Sequence, residues 1–450
     1  MKNTINLMLS AVVATFIAGC GGGNPSNAGS TSVVNNIGYI PFSTSVTSRN
    51  DVLYKTDGTA ANTNIVSNTY LPSGSNNLIS SSIGGFVKNN NTLYIATQVL
   101  RSPCLVGCNL TYGYLTLNLS NDTVAQPSIT KVVSSNDLNS FLPSYVASNN
   151  GLYVFSSHSA GLAYADMKLI DNTGVHAMTN NTDYTPWMIP LVSAMNNNSI
   201  YVSAHKISNQ NGDITDFGIL KLDTSTNTFS LLVSGYYINS MAIFNSDLYF
   251  IAKDNSNKWK LFKFDTNNNV TSLYDFNTAS RERLYAFNGS LYFIGGTTIY
   301  KYDIANGTIN SLLNTNIAIG TNNNSSKYGF GGYIELNNKL YLYAGNKLFE
   351  IDGANNSATN LTPNLNITDN VVYKANGKLY FGADNGSIGT ELYKYDGSSV
   401  NLVKDINIGA GSSIPRHITE LNGDIVFQAS QDGTNNKLFK LNNNTLTPLN

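Results

Sequence analysis

Charged residues are scarce in this sequence, and tryptophan and cysteine are scarcer still. Asp, Glu, Lys and Arg make up 12% of the 450 residues, about half the usual share of roughly 25%. The 26 basic and 27 acidic residues give a net charge of -1, which provides no electrostatic attraction for nucleic acid or anionic lipid headgroups. With 2 Trp but 27 Tyr, and 42% hydrophobic residues, the chain has enough apolar surface to fold around a tyrosine-rich core.

Helical periodicity and the familiar catalytic motifs are also missing. The sequence contains no G-x-S-x-G nucleophile elbow, no P-loop and no G-x-G-x-x-G that opens a helix. Paired carboxylates for glycoside chemistry stay open, because such carboxylates pair in space and not in sequence. At 450 residues the chain exceeds one ordinary hydrophobic core, so it holds several domains or one architecture that grows by repetition.

One sequence repeat recurs with variations along most of the chain. In the copy NGKLYFGADNGSIGTELYKYDG, residues 376–397, Asn-Gly precedes one strand-like run and Asp-Gly follows a second; both dipeptides are strong hairpin signals. Residues 369–375 and 400–406 supply two further strands, which makes four per copy. The first run recurs about every 48 residues, at Tyr39, Tyr94, Tyr153, Tyr201, Tyr249, Tyr292, Tyr341, Tyr380 and Val426.

This period, with four strands per unit and no helix, is typical of β-propeller blades. We therefore predict an all-β protein with a single propeller over residues 33–450. It should have about eight (seven to nine) four-stranded antiparallel blades, and we expect N-terminal strands to complete the final blade. The strands read as near-continuous apolar runs because both faces of every blade pack on neighbours.

Two parts of the sequence carry a resemblance to known repeats. Residues 382–429 and 51–66 resemble the ELWxxDGT, or hyalin-type, repeats of bacterial surface and secreted proteins, with Tyr393 in place of the usual Trp and Ser398 in place of Thr. Residues 288–303, NGSLYFIGGTTIYKYD, are more similar to a Kelch unit. Both resemblances imply a propeller, and neither implies one particular function.

The first twenty residues differ from the repeats. Lys2 precedes an apolar run at residues 5–18 that is too short to span a bilayer comfortably, and Ile17-Ala18-Gly19-Cys20 closes it. This ending resembles the lipobox of bacterial lipoproteins. The resemblance implies a signal peptide at residues 1–19, a lipid-modified Cys20 and a flexible tether over residues 20–32. An ordinary cleaved signal with an incidental Cys is the alternative. Because Gly21 and not Asp follows Cys20, we expect anchoring in the outer membrane of a bacterial envelope, on either of its faces.

Two cysteines remain once Cys20 is set aside. Cys104 and Cys108 stand in SPCLVGCNL, an even pair in a compartment where disulfides persist. We expect them to form one small disulfide loop, which contributes roughly 2 kcal/mol on the chain-entropy model. Metal binding by two Cys without a neighbouring His is the weaker alternative.

The best candidate site lies between the second and third strands of three consecutive repeats. The connections at residues 98–112, 156–166 and 203–217 are enlarged, and functional residues concentrate on loops held by a rigid scaffold. They carry Arg101, His158, His205, Asp213 and Asp216. Adjacent blades can bring the two His together with an Asp as metal ligands. No His-x-His or HExxH spacing supports a metal, so solvated polar loops are the alternative.

Other templates for a site are incomplete. A sialidase-like propeller has Asp boxes and an arginine triad, whereas this chain has no full Asp box and its five Arg are scattered. We expect no cofactor. The turns at residues 384–389 and 430–436 offer oxygen ligands for Ca²⁺, but residues of these types more often simply form turns.

These observations lead to three hypotheses about function. The main prediction is a non-enzymatic lipoprotein, anchored in the membrane through Cys20, whose propeller binds a protein or glycan partner in the cell envelope; no nucleic-acid partner is expected. The alternative is an envelope hydrolase or lyase that acts on a polysaccharide, with its site on the enlarged-loop face. A structural or assembly role in outer-membrane machinery differs from the first hypothesis mainly in its partner.

Overall fold

The computed structural model describes residues 32–34, 36–45, 51–67, 78–89, 91–101, 109–120, 123–125, 131–133, 145–148, 151–158, 164–171, 173–186, 193–196, 199–207, 214–254, 258–276, 284–295, 297–315, 333–368 and 372–450. Within these ranges the regular structure is β-strand, apart from one 3₁₀ turn at Ala60–Asn62. The strands form nine sheets, each built from strands that are neighbours in sequence. No helix in the described part of the chain has the length and apolarity needed to cross a bilayer.

The first four sheets follow one another along the N-terminal half of the chain. Sheet 1 contains β1 (Ser32–Val34), β2 (Ile37–Ser43), β3 (Asp51–Thr56) and β4 (Asn64–Ser67). Sheet 2 contains β5 (Leu78–Asn89), β6 (Thr92–Arg101), β7 (Asn109–Asn118), β8 (Thr123–Ala125) and β9 (Lys131–Val133). Sheet 3 contains β10 (Tyr145–Ser148), β11 (Gly151–His158), β12 (Tyr164–Asp171) and β13 (Gly174–Ala177). Sheet 4 contains β14 (Thr179–Asn180), β15 (Tyr184–Pro186), β16 (Ser193–Asn196), β17 (Ser199–Ile207), β18 (Ile214–Asp223) and β19 (Thr228–Ser234).

The remaining five sheets complete the described chain. Sheet 5 contains β20 (Tyr237–Phe244), β21 (Asp247–Lys253), β22 (Trp259–Phe264) and β23 (Val270–Asp275). Sheet 6 contains β24 (Leu284–Phe287), β25 (Ser290–Gly295), β26 (Thr298–Asp303) and β27 (Thr308–Asn314). Sheet 7 contains β28 (Tyr333–Leu336), β29 (Lys339–Ala344), β30 (Lys347–Asp352) and β31 (Ser357–Asn360). Sheet 8 contains β32 (Asn366–Ile367), β33 (Tyr373–Ala375), β34 (Lys378–Asp384), β35 (Thr390–Tyr395) and β36 (Val400–Lys404). Sheet 9 contains β37 (Arg416–Leu421), β38 (Asp424–Ser430), β39 (Asn436–Asn442) and β40 (Thr445–Pro448).

Burial follows the order of the strands within a sheet. In sheet 5, β21 is buried along most of its length, β22 alternates between buried and partly buried residues, and β23 is largely exposed. The first strands of successive sheets lie side by side, as β16, β20 and β24 do. The first strand is therefore the innermost and the fourth the outermost, which is the blade arrangement of a β-propeller. Sheets 1 to 9 are called blades 1 to 9 below.

The hydrophobic core consists of clusters that each join two consecutive blades. Phe250 of blade 5 packs in one cluster with Ile219 of blade 4, and Tyr249 on the other side of blade 5 packs in a cluster with Phe293 of blade 6. The tyrosines of the sequence repeat lie in these clusters. Tyr153, Tyr249, Tyr292 and Tyr341 are among the largest fully buried side chains. The predicted propeller is confirmed, and nine blades in the described residues lie at the upper end of the predicted range.

The ring closes in a different way from the one predicted. Strands β1 to β4 form a complete blade of their own and contribute no strand to blade 9. The seam is instead a packing interface in which Ile40 and Phe42 of blade 1 contact Val426 and Leu438 of blade 9. A hydrogen bond also crosses the seam, since the Ser43 N–H of blade 1 donates to Gln428 Oε1 of blade 9 at 3.0 Å. The expectation that N-terminal strands complete the final blade is wrong, because the chain supplies four strands for each of the two blades that meet at the seam.

The two edges of the blades differ in what they carry. One edge, the turn face, holds the connections from first to second and from third to fourth strands, such as Asn288-Gly289 and Asp396-Gly397. The other edge, the loop face, holds the connections from second to third strands and from one blade to the next. Lys253 at the end of β21 and Trp259 at the start of β22 lie on the loop face.

An aspartate at the end of the third strand shapes the turn face. Asp396 Oδ1 accepts hydrogen bonds from Ser398 Oγ at 2.7 Å and from the N–H groups of Ser398 and Ser399 at 3.0 Å, and these bonds lower the pKa of Asp396 to about 2. The same capping occurs at Asp57, Asp171, Asp223, Asp265, Asp303 and Asp352. The Asp that recurs at the end of the third strand of most repeats is therefore a turn residue that accepts hydrogen bonds from backbone N–H groups.

Candidate functional site

Blades 2, 3 and 4 carry extended hairpins on the loop face. β6 and β7 have 10 residues each, β11 and β12 have 8 each, and β17 and β18 have 9 and 10. The matching strands of blade 5 have 7 and 6 residues. One to four extra residues at about 3.3 Å each raise these hairpins by roughly 3 to 13 Å above the rest of the ring. The enlarged segments are therefore continued β-hairpins and form a wall over one sector of the propeller.

The structure places four of the five predicted site residues on the strands of this wall. Arg101 is the last residue of β6 and His158 the last residue of β11. His205 lies in β17 and Asp216 in β18. Asp213 lies outside the described residues, as do Cys20, Cys104 and Cys108. All four described residues are thus at the loop face, on strands and not on the loops that the sequence suggested.

His205 and Asp216 occupy opposite sides of blade 4. In the register of β17 and β18, His205 stands opposite Phe217 and Lys206 stands opposite Asp216, and successive side chains of a strand point to opposite faces. Asp216 therefore points to the side of blade 4 that packs on blade 3, and His205 points to the side that packs on blade 5. The structure does not bring this His and this Asp into one ligand set.

Asp216 is instead paired with a tyrosine that the sequence reasoning did not select. Tyr184, at the start of β15, donates from its hydroxyl to Asp216 Oδ2 at 2.5 Å. The other oxygen, Oδ1, accepts from the N–H groups of Phe217 at 2.7 Å and Gly235 at 3.2 Å. Burial and the bond to Asp216 raise the pKa of Tyr184. The couple therefore holds a protonated hydroxyl against an oriented carboxylate at the base of the hairpin wall.

An exposed ion pair lies next to this couple. Lys206 Nζ is 3.0 Å from Asp183 Oδ2, and the two side chains are 41% and 78% exposed. Such exposed pairs contribute little to stability, about 0 to 1 kcal/mol. The pair nevertheless places an ammonium group on the same side of blade 4 as Asp216.

His205 is a core residue of blade 4. It is 1% exposed, and burial lowers its pKa to about 4. The imidazole is therefore neutral at pH 7 and is too enclosed to meet a substrate directly. Its predicted role as a surface ligand requires an accessible ring nitrogen, which a side chain this deeply buried does not present.

A second set of side chains continues across blade 5. Tyr237, Lys253 and Trp259 stand opposite one another on three adjacent strands at the loop face. Lys253 Nζ lies 5.2 Å from the centre of the Trp259 ring, and the Tyr237 ring meets the edge of Phe217 of blade 4 at 4.7 Å. These residues connect the blade 5 row to Asp216 through its neighbour Phe217. Sequence reasoning missed them because strand-edge aromatics occur in every repeat.

Another buried carboxylate, Glu391 of blade 8, has a structural task. It accepts hydrogen bonds from the Ile406 N–H at 2.7 Å and from the N–H and hydroxyl of Ser413 at 3.1 and 2.7 Å. Burial raises its pKa. Since Glu391 is fully buried, it anchors the connection from blade 8 to blade 9 and is not part of the candidate site.

The described residues contain no group of three or more His, Cys, Asp or Glu arranged to hold a metal ion. In the turns considered for Ca²⁺, Asp384 accepts from the Gly386 N–H, and Asp432 accepts from the N–H groups of Thr434 and Asn435. These oxygens serve the turns themselves. Ca²⁺ binding there stays a prediction.

Comparison with known proteins finds related folds but no family. No protein-family model matches the chain, and no curated protein matches it. Among solved structures, Porphyromonas gingivalis dipeptidyl peptidase 4 is similar with a TM-score of 0.51 and 8% identity, over 90% of this chain and 65% of that one. A puromycin hydrolase S511A mutant matches 76% of this chain and 57% of its own at 10% identity and a TM-score of 0.45. The Vibrio parahaemolyticus oligogalacturonate lyase matches 92% of this chain and 99% of its own at 9% identity and a TM-score of 0.36.

These comparisons correct the main functional prediction. The similar structure with a TM-score above 0.5 is named as a dipeptidyl peptidase, which contradicts the expected non-enzymatic scaffold. The chain spans less than two thirds of the length of the peptidase and the puromycin hydrolase. At 8% to 10% identity the likeness shows the fold, and the chemistry has to be argued from the site.

Proposed function

We propose that the chain is an envelope hydrolase or lyase that acts on a polysaccharide, with its site on the loop face beside the extended hairpins of blades 2 to 4. The observation that carries the proposal is the Tyr184–Asp216 couple, whose hydroxyl and carboxylate are 2.5 Å apart. The names of the similar structures agree with a bond-cleaving role. The hairpin wall suits an extended chain-like substrate that lies along one side of the ring.

Both reaction types need a proton for the glycosidic oxygen that leaves. In hydrolysis, water adds across the broken bond; in elimination, a base removes a carbon-bound proton and a carbon–carbon double bond forms as the oxygen departs. Tyr184 is protonated at neutral pH, as tyrosines ordinarily are, and we assign it the role of general acid because its hydroxyl is the oriented proton donor of the couple. Asp216 orients the hydroxyl, and the two backbone donors fix its carboxylate.

The location of the proposed enzyme rests on its N-terminal segment. A lipid-modified Cys20 would hold the propeller at a membrane surface, and several acyl chains at about 0.8 kcal/mol per buried CH₂ make such an anchor effectively permanent. Replacement of Cys20 by Ala should release the protein from the membrane fraction. Continued membrane association of that variant would contradict the anchor.

The catalytic proposal is tested with the full chain on a panel of acidic and neutral polysaccharides. Release of reducing ends reports cleavage of either type, and ultraviolet absorbance of an unsaturated product distinguishes a lyase from a hydrolase. Tyr184→Phe should lower kcat by roughly 10² to 10⁴-fold, the usual contribution of a general acid, with the substrate KM little changed. Asp216→Asn should also lower kcat.

Tyr302→Phe is the matched control, since Tyr302 of blade 6 is also 7% exposed and lies away from the wall. The proposal is abandoned if no polysaccharide is cleaved. It is also abandoned if Tyr184→Phe keeps the activity of the control variant.

A further inference from the structure

We infer that the row Phe217, Tyr237, Lys253 and Trp259 binds an acidic sugar unit, so that the substrate is a polysaccharide containing uronate. This inference deepens the proposed function and rests on it for the polymer class. It concerns binding in the row, which consists of Phe217 of blade 4 and three residues of blade 5.

The geometry of the row fits a saccharide. Tyr237, Lys253 and Trp259 are directly opposite one another in the register of β20, β21 and β22. The rings of Tyr237 and Trp259 are 5.9 Å apart, and those of Phe217 and Tyr237 are 4.7 Å apart. Aromatic rings present flat apolar surface together with polar edges, which suits the apolar faces and hydroxyl groups of sugar rings.

The positive charge of Lys253 favours an acidic sugar unit in the row. Lys253 forms no ion pair with any carboxylate of the described residues, whereas its neighbours Lys260 and Lys263 pair with Asp254 at 2.7 Å and Asp247 at 2.6 Å. The Lys253 ammonium is held over the Trp259 ring, where a cation is stabilised without being neutralised. A carboxylate ligand would supply the missing countercharge through a charge-assisted hydrogen bond.

Trp259 is a core residue beneath Lys253, and its indole donor is unpartnered in the described structure. Its side chain is 3% exposed, and its indole Nε1 has no hydrogen-bond partner among the described residues. A buried N–H without a partner is costly and is usually satisfied by water or by a ligand.

The row is linked to the proposed catalytic couple through the backbone of Phe217. Phe217 follows Asp216 in β18, and its N–H donates to that carboxylate at 2.7 Å. The contacts then run from Phe217 to Tyr237 and on to Trp259 and Lys253. Asp216 and Phe217 point to opposite sides of blade 4, and Trp259 packs on the blade 6 side of blade 5. A polysaccharide therefore has to cross the loop-face edge of blades 4 and 5 to place one unit on the row while another linkage meets Tyr184.

The test measures binding separately from cleavage, with the full chain and oligosaccharides of polygalacturonate as the acidic probe and of dextran as the neutral one. Isothermal titration should give binding of the acidic probe only, weakened by added salt. Lys253→Met removes the charge and keeps most of the stem, and it should weaken binding roughly 10- to 100-fold. Lys253→Arg should restore much of it.

Lys263→Met is the matched control. Lys263 also lies over an aromatic ring, that of Tyr249 at 5.9 Å, but at the turn-face end of β22. The two variants lose the same charge, so equal weakening by both would overturn the inference in favour of a general charge effect. Preference for the neutral probe would overturn it as well.

The two proposals fail in distinguishable ways. Lys253-dependent binding of the acidic probe without cleavage of any polysaccharide supports the inference and contradicts the proposed function. Cleavage that depends on Tyr184 but acts on neutral polymers, with no effect of Lys253→Met, supports the proposed function and contradicts the inference.

Discussion

The contact between blades 7 and 8 allows one prediction to be worked out in detail. The Glu350 carboxylate accepts from Lys339 Nζ at 2.6 Å and from the Tyr341 hydroxyl at 3.0 Å within blade 7. It also accepts from the Tyr395 hydroxyl of blade 8 at 2.6 Å. Burial alone raises the pKa of Glu350, but the bonds from Lys339, Tyr395 and Tyr341 outweigh it and hold the pKa below its ordinary value.

Tyr395→Phe removes one hydroxyl and keeps the ring, which lies 5.7 Å from the Tyr341 ring. A hydrogen bond to a charged group is worth about 1.5 to 3 kcal/mol. The side chain of Glu350 is only 13% exposed, so water replaces the lost donor poorly. We therefore expect the variant to lose about 2 kcal/mol of unfolding free energy, measured by urea denaturation at pH 7.

Tyr393→Phe, on the same strand, is the control for this measurement. Tyr393 is also buried, at 5% exposure, and its hydroxyl has no hydrogen-bond partner in the described structure, so the control should change stability little. Because the folded pKa of Glu350 is lowered, its contribution is present above its unfolded pKa and is lost as pH falls through the folded pKa. Equal stability of Tyr395→Phe and the control, or a Tyr395→Phe deficit that persists unchanged in acid, would refute the reasoning.

Two further predictions concern blade 8. Burial raises the pKa of Glu391, so its ionisation should destabilise the fold as pH rises from its ordinary pKa through the raised folded pKa. The stability difference between wild type and Glu391→Gln, followed by urea denaturation at several pH values, should therefore shift in favour of the variant as pH rises. A pH-independent difference would contradict this. Gly389 has φ +73, and a Cβ there would lie 2.5 Å from the Gly411 carbonyl oxygen. Gly389→Ala should thus lower the free energy of unfolding by about 1 to 3 kcal/mol, measured by thermal or urea unfolding. Gly386→Ala is the control, because Gly386 has φ +83 and open space around it, so this variant reports the backbone effect alone. Equal losses of stability would contradict the steric argument.

Much of the fold was predictable because the repeat places the same residue types at the same structural positions. The recurring Tyr of the repeat predicts a tyrosine-rich core, and Tyr249 and Tyr292 are fully buried between blades. Closure was not predictable in the same way. Whether a first strand joins the last blade depends on pairing between residues nearly 400 positions apart, such as the bridge Ser45–Asn435, and no local pattern encodes it.

The candidate site was predictable only in its position on the ring. Enlarged connections in the sequence indicated the extended hairpins of blades 2 to 4, but periodicity could not tell that Ser203–Ile207 and Ile214–Phe217 are paired strand. Because side chains alternate along paired strands, His205 and Asp216 point to opposite sides of blade 4. Tyr184 was missed because β15 is a three-residue strand in a segment without a clear repeat pattern.

The whole-blade seam has a consequence for how such a ring can change length. Each of the nine blades is encoded by one uninterrupted stretch of sequence, and the contact between blades 9 and 1 uses the same kinds of bonds as its neighbours. The turn-face amide of Asn422 donates to Asp57 O across the seam at 3.1 Å, as Asn376 donates to Gly423 O between blades 8 and 9 at 2.8 Å. Duplication or loss of one repeat therefore leaves no hybrid blade to rebuild, and a circular permutant cut at any blade boundary inherits a complete set of sheets.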